Sequence, residues 1–138
     1  MEFVDTNVLL YAYDADAGDR HAVAFALVDR LWRERRGALS IQVLQEFYVN
    51  VTRKAATPLG PDSAAERLQS LARWRVHSPL ADDVVAAAQW STRYQLSFWD
   101  AMIVRSAAEL RCDTLWTEDL SDGQVIEGVR LANPFSTE

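Results

Sequence analysis

Short apolar runs alternating with segments of helical periodicity constrain this chain more than any other feature. "EFV" near the start, "ALS" at 38–40, "WRVHS" at 74–78, "DTLWT" at 113–117 and "GVRLANPF" at 128–135 each have the length and composition of a strand. Between the first two, "NVLLYAY" reads as a turn of helix, and from Asp19 to Arg36 the residues Ala22, Phe25, Ala26, Val28, Leu31 and Trp32 fall at helical spacing, with Gly37 placed as the stop. Ser40 is placed to cap the next helix, where Leu44, Phe47, Tyr48 and Val51 form one apolar stripe. "TPLGP" is a loop, and Asp62 or Ser63 begins another helix, with Ser63 and Glu66 spaced as a capping box. Pro79 stands near the start of an alanine-rich helix reaching Tyr94, and Ser97 opens "FWDAMIVRSAAEL". This alternation predicts an α/β three-layer sandwich: a mostly parallel central sheet of four to five strands, flanked by helices, in a single domain over residues 1–138.

In such a sheet the ligand crevice lies beyond the carboxyl ends of the strands, where strand order reverses. Asp5 leaves the first strand at that edge, and Thr117, Glu118, Asp119 and Asp122 leave the fourth, so their acids converge if those strands are neighbours. Helices that follow strands begin at the same edge, where Asp100 stands three residues after Ser97. Glu46, about one and a half turns into its helix, points away from the apolar stripe. Each acid also has an ordinary explanation. Asp5 caps a helix, Asp100 completes a capping box with Ser97, Glu46 is solvated, and Asp119 forms an Asx turn.

Charge decides between the two readings. A pair of carboxylates ~4 Å apart repels by about 4 kcal/mol at an effective dielectric of ~20, and several such pairs on one rim call for a cation, for raised pKa values, or for side chains splayed into solvent. Oxygen ligands without His or Cys favour hard ions, Mg²⁺ or Mn²⁺. A net charge of −6 gives no general basic footprint for nucleic acid, yet an acidic site that gathers cations is compatible with a phosphodiester substrate. Local basic positions such as Arg53, Lys54, Arg93 and Arg105 are candidates for holding a backbone. The single Cys112 excludes an internal disulfide and a thiolate zinc cluster. With no run of 18 apolar residues and no signal-peptide pattern at the start, no membrane association is expected and the cytoplasm is the expected location.

"FVDTNVLLYAYD", "QVLQEFYVNVTRK", "LSFWDAMIVRSA" and "LWTEDLSDGQVIEGVRLANPF", in that order and over nearly the whole chain, resemble a PIN-domain protein of the kind found as VapC-type ribonuclease toxins of bacterial toxin–antitoxin pairs. By that resemblance Asp5, Glu46, Asp100 and Asp119 match the acidic quartet that holds Mg²⁺ or Mn²⁺, Thr6 and Thr117 match hydroxyl positions beside it, and Asn7 matches the polar residue after the first acid. In "TEDLSD", Asp119 ranks first as the fourth ligand, Asp122 second and Glu118 last. The resemblance implies an endoribonuclease that hydrolyses RNA by a metal-activated water, with an antitoxin protein as partner and a homodimer of toxin subunits.

Two other readings compete. A phosphatase with an aspartyl nucleophile would want a second carboxylate where Asn7 stands, and a catalytically inactive PIN-like protein would only bind RNA or antitoxin. Ser/His/Asp catalysis has little support from His21 and His77, and neither a dinucleotide nor a P-loop fingerprint occurs. The five tryptophans (32, 74, 90, 99 and 116) could stack on bases, but their scatter over helix and strand positions favours core packing. Core packing is also expected for Phe25, Trp32, Phe47 and Tyr48, with a groove for a partner helix as the other reading.

Overall fold

The computed structural model describes residues 1–53 and 57–136. Its chain order is β1 (Glu2–Val4), α1 (Thr6–Tyr13), α2 (Asp19–Glu34), β2 (Gly37–Ser40), α3 (Ile41–Arg53), α4 (Pro61–Leu71), β3 (Arg75–His77), α5 (Ala81–Tyr94), α6 (Phe98–Glu109), β4 (Thr114–Trp116), β5 (Val125–Ile126) and β6 (Val129–Ala132). One six-stranded sheet has the order β3-β2-β1-β4-β6-β5. The five strands foreseen in the sequence are the parallel ones; β5 adds a sixth, a two-residue strand antiparallel to β6 that was not foreseen.

Strand order reverses between β1 and β4, which pair through Glu2–Thr114, Phe3–Leu115 and Val4–Trp116. β1 sits in the middle of the sheet, so Phe3 and Val4 are fully buried and its exit is the switch point of the sheet. Helices cover the sheet through Leu9, Leu31, Phe47, Leu71 and Val104, all fully buried.

Several local expectations shift for identifiable reasons. The left-handed residue that ends α2 is Arg35 (φ 56°), while Gly37 begins β2. Gly37 is required by packing: a Cβ there would lie 2.3 Å from the Trp74 ring. In α2 the buried face is Ala24, Val28 and Leu31, leaving Phe25 56% exposed. In α3 it is Val43, Phe47 and Val51, with Leu44 and Tyr48 half-buried at its edge. α4 starts at Pro61 after Gly60, since proline's fixed φ and missing N–H suit the first helical position better than a capping box at Ser63.

Candidate active site

Asp5 follows β1 directly and is the N-cap of α1, so the turn from strand to helix presents its carboxylate at the switch point. One oxygen accepts the Thr6 backbone N–H at 2.7 Å and the other accepts the Thr117 hydroxyl at 2.9 Å. The Thr6 N–H comes with the helix cap itself, whereas the Thr117 hydroxyl is present because β4 lies beside β1 and brings Thr117 to the same edge. The capping explanation and the convergence explanation are therefore both true of Asp5.

Three further acids reach the same place from separate segments. Glu46 lies along α3, where its carboxylate accepts the Thr6 hydroxyl at 2.7 Å and the Gln42 amide at 3.3 Å. Asp100 is in the first turn of α6, whose N-cap Ser97 accepts the Asp100 backbone N–H at 3.1 Å; among the described residues its carboxylate accepts no hydrogen bond. Asp119 leaves β4, its N–H donating to the Thr117 hydroxyl and its carboxylate accepting the Asn7 amide at 3.0 Å. Asp5, Glu46, Asp100 and Asp119 line one open cleft of about 550 Å³.

Asp122 and Glu118 do not join them. Asp122 accepts the Asn133 backbone N–H at 2.9 Å, which commits it to the loop leading into the β5–β6 ribbon. Glu118 turns to the other side of the extended segment, accepting the Tyr11 hydroxyl at 2.8 Å and pairing with Arg20, which stacks over the Tyr11 and Phe135 rings. Of the suggested basic rim, Arg53, Arg93 and Arg105 do not line the cleft. Arg93 pairs with Glu127, Arg105 is held by Asp83 and Glu109, and Lys54 lies outside the described residues.

The electrostatics record acids crowded without a counter-charge. Burial pushes the Asp5 carboxyl up to about 6; the Thr117 and Thr6 hydrogen bonds oppose this, and Asp119 and Asp100 add to it. Asp119 is also raised, first by burial and then by Glu118 and Asp100, with the Asn7 amide pulling it back. Among the described residues no Lys, Arg or His lines the cleft. Among the described residues no three acids form a ready-made cation cage. Asp5, Glu46 and Asp119 each accept a hydrogen bond from a neutral side-chain hydroxyl or amide. The donor set, hard carboxylate oxygens with no sulfur or imidazole, fits Mg²⁺ or Mn²⁺.

The sequence reading missed Gln42 and Asn50 in the cleft wall, and favoured the core for Trp99, which also lies there. Gln42 was findable, one helical turn before Glu46; Asn50 lies one turn after it and donates to the Glu46 carbonyl at 2.7 Å. A Ser–His–Asp string does exist elsewhere, with His77 Nδ1 2.8 Å from the Ser106 hydroxyl and Nε2 3.4 Å from Asp83. Ser106 is sealed in the core at 1% exposure and Arg105 claims Asp83, so the string braces α5 against α6 and offers no nucleophile to a substrate.

A family model described as PIN domain matches residues 3–121. No curated protein matches the chain. The toxin-antitoxin complex from Klebsiella pneumoniae shares the fold with a TM-score of 0.74 at 19% identity, covering 99% of this chain and 100% of that chain. VapC20 of Mycobacterium tuberculosis, described as a sarcin-ricin loop cleaving toxin, gives 0.63 at 23% identity, covering 83% of this chain and 87% of its own. VapBC2 from Rickettsia felis, bound to a DNA fragment from its promoter, gives 0.65 at 18% identity, covering 96% and 97%. At these identities the likeness establishes a shared fold.

Proposed function

This chain belongs to the PIN domain family, and on that premise we propose that it is a divalent-metal-dependent endoribonuclease, the toxin of a type II toxin–antitoxin pair, with Asp5, Glu46, Asp100 and Asp119 holding Mg²⁺ or Mn²⁺. The observation that carries the reading is the convergence of four acids from four separate segments on one cleft at the sheet's switch point, with no basic side chain among the described residues of its lining. The bound cation would supply charge neutralisation for the phosphodiester and a lowered pKa for water.

The chain's own residues set the geometry. Asp5 is fixed on both oxygens, by the Thr6 N–H and the Thr117 hydroxyl, so it serves as the rigid member of the set. The Thr6 hydroxyl donates to Glu46 and thereby orients a long, otherwise rotatable side chain. Asn7 does the same for Asp119. Asp100, with no hydrogen-bond partner among the described residues, is the acid left most adjustable. Among the described residues no Ser, Cys, His or Lys lines the cleft and the Thr6 hydroxyl is committed to Glu46, which supports water as the nucleophile with no covalent enzyme intermediate. Asn7, in the position where an aspartyl-nucleophile phosphatase would want its second carboxylate, is spent on Asp119, which disfavours that alternative.

The antitoxin partner and a toxin homodimer follow from the same reading, supported by structural neighbours described as toxin-antitoxin complexes. RNA as substrate is supported by the neighbour described as cleaving the sarcin-ricin loop. Among the described residues no helix is long and apolar enough to cross a membrane, which suits a cytoplasmic enzyme carried on one domain spanning 1–138.

Purified protein incubated with a pool of cellular RNA is expected to cleave with Mn²⁺ and not with chelator. Asp100→Asn removes charge while breaking no side-chain hydrogen bond, and is expected to lower cleavage by about 100-fold or more with the fold retained. A protein that binds RNA but never cuts it under any divalent ion would instead support the inactive binding protein.

A further inference from the structure

We propose that the indole of Trp99 is a stacking platform that seats one unpaired base of the RNA beside the acids. The inference rests on the ribonuclease reading and adds to it the residue that positions the substrate.

Trp99 differs from the other four tryptophans in having no structural use for its exposed face. Trp74 and Trp90 are buried, Trp32 packs edge-on against Trp74, and Trp116 donates its indole N–H to Glu2. Trp99 is 63% exposed, although tryptophan carries a large apolar surface that folding ordinarily removes from water. It lies in the wall of the acidic cleft, one residue before Asp100, with Val49 and Ile103 completing an apolar stretch. Its position is braced. The Phe98 ring meets it edge-on at 5.1 Å, and the Gln42 amide, while donating to Glu46, donates also to the Trp99 carbonyl at 3.3 Å. One side chain thus ties the platform to the acid set.

The charge of the cleft supplies the reason for such a platform. Among the described residues the lining carries four carboxylates and no Lys or Arg, so its side chains give phosphates little of the attraction that basic grooves give to nucleic-acid binders. A π-face can supply affinity, because base stacking carries no charge and works for every base. It requires an unstacked base, which loops and single strands offer and an A-form duplex does not.

The test uses the whole protein, a randomised single-stranded RNA oligonucleotide, and the same sequence pool annealed to its complement, with Ca²⁺ for binding and Mn²⁺ for turnover. Binding of the single strand is expected to quench tryptophan fluorescence in the wild type. Trp99→Phe should bind with affinity within about threefold of wild type but lose most of the quench, whereas Trp99→Ala should bind roughly tenfold more weakly and raise KM more than it lowers kcat. Duplex should neither quench nor compete. A Trp99→Ala protein that binds and cleaves like wild type overturns the proposal and assigns the ring to a protein partner, while leaving the ribonuclease reading standing. Quenching that persists in Trp99→Phe, or equal quenching by duplex, also overturns it. Absence of divalent-dependent cleavage by the wild type overturns the ribonuclease reading and this proposal with it.

Discussion

Replacing Asp5 with Asn is expected to stabilise the metal-free protein near neutral pH, even though Asp5 caps a helix and makes two good hydrogen bonds. Burial holds the carboxyl at about 6 against its ordinary 3.8. The folded state therefore keeps this proton to higher pH than the unfolded chain does. Below the ordinary value both states are protonated and no penalty arises; as pH rises through the folded value the unfolded chain is already charged and stability falls. The gap corresponds to about 3 kcal/mol once pH exceeds both values. Against it stands one loss. The Asn side-chain oxygen can still accept the Thr6 N–H, but the Thr117 hydroxyl loses its carboxylate acceptor, a cost of about 1 kcal/mol.

The net expectation is a variant more stable by about 2 kcal/mol near pH 8 and less stable by about 1 kcal/mol near pH 3. Urea unfolding of both proteins in chelator across that pH range measures the difference directly, and taking the difference cancels titrations elsewhere in the chain. Adding Mn²⁺ should then reverse the order near pH 8. The wild type gains stability as the free cation exceeds its dissociation constant, and the variant, with one ligand weakened, gains less. A stability difference that stays constant with pH, or a variant less stable near pH 8 without metal, refutes the claim that Asp5 is buried against its charge. Equal stabilisation of the two proteins by Mn²⁺ refutes its place in the metal set.

Glu2 should behave in the opposite sense. Its hydrogen bond with Arg30, followed by those with Trp116 and the charges of Arg30 and Arg36, outweighs burial and holds the carboxyl below its ordinary range. Glu2→Gln is thus expected to cost about 1–3 kcal/mol at neutral pH, a loss that fades as pH falls through the depressed folded value, read by the same urea series. Gly37→Ala should lower stability by about 1–3 kcal/mol and change the near-UV circular dichroism of the Trp32–Trp74 pair, because the new methyl occupies the place of the Trp74 ring. Glu118→Gln and Asp122→Asn should leave the Mn²⁺ midpoint of thermal stabilisation within about twofold of wild type, while Asp119→Asn should raise it about tenfold or more. A Glu118→Gln midpoint shifted as far as that of Asp119→Asn would show that the Arg20 pairing does not keep Glu118 out of the site.

What the sequence revealed and what it hid separate along one physical line. Strand type, helix type and the edge at which a residue emerges are set by neighbours in the chain, so the five parallel strands and the rim position of Asp5 and Asp100 were legible. The adjacency of β1 and β4 was inferred only conditionally, since pairing between residues more than a hundred apart leaves no local pattern; Val4 beside Trp116 is what turns two separate acids into one site. The mistaken details share a cause. Gly37 was read as a helix stop on local chemistry, but its constraint comes from Trp74, which is remote in sequence, and Arg35 bears the left-handed conformation instead. For Trp99 the core was favoured over base stacking because the tryptophans are scattered over helix and strand positions; it is exposed and lines the cleft between α3 and α6. The choice among Glu118, Asp119 and Asp122 turned on alternation along an extended segment, a local rule, for Glu118, and on the Asn133 backbone, a non-local partner, for Asp122. Function in this chain therefore concentrates where local signals run out, because a site that gathers like charges must draw them from segments with no shared local reason to meet.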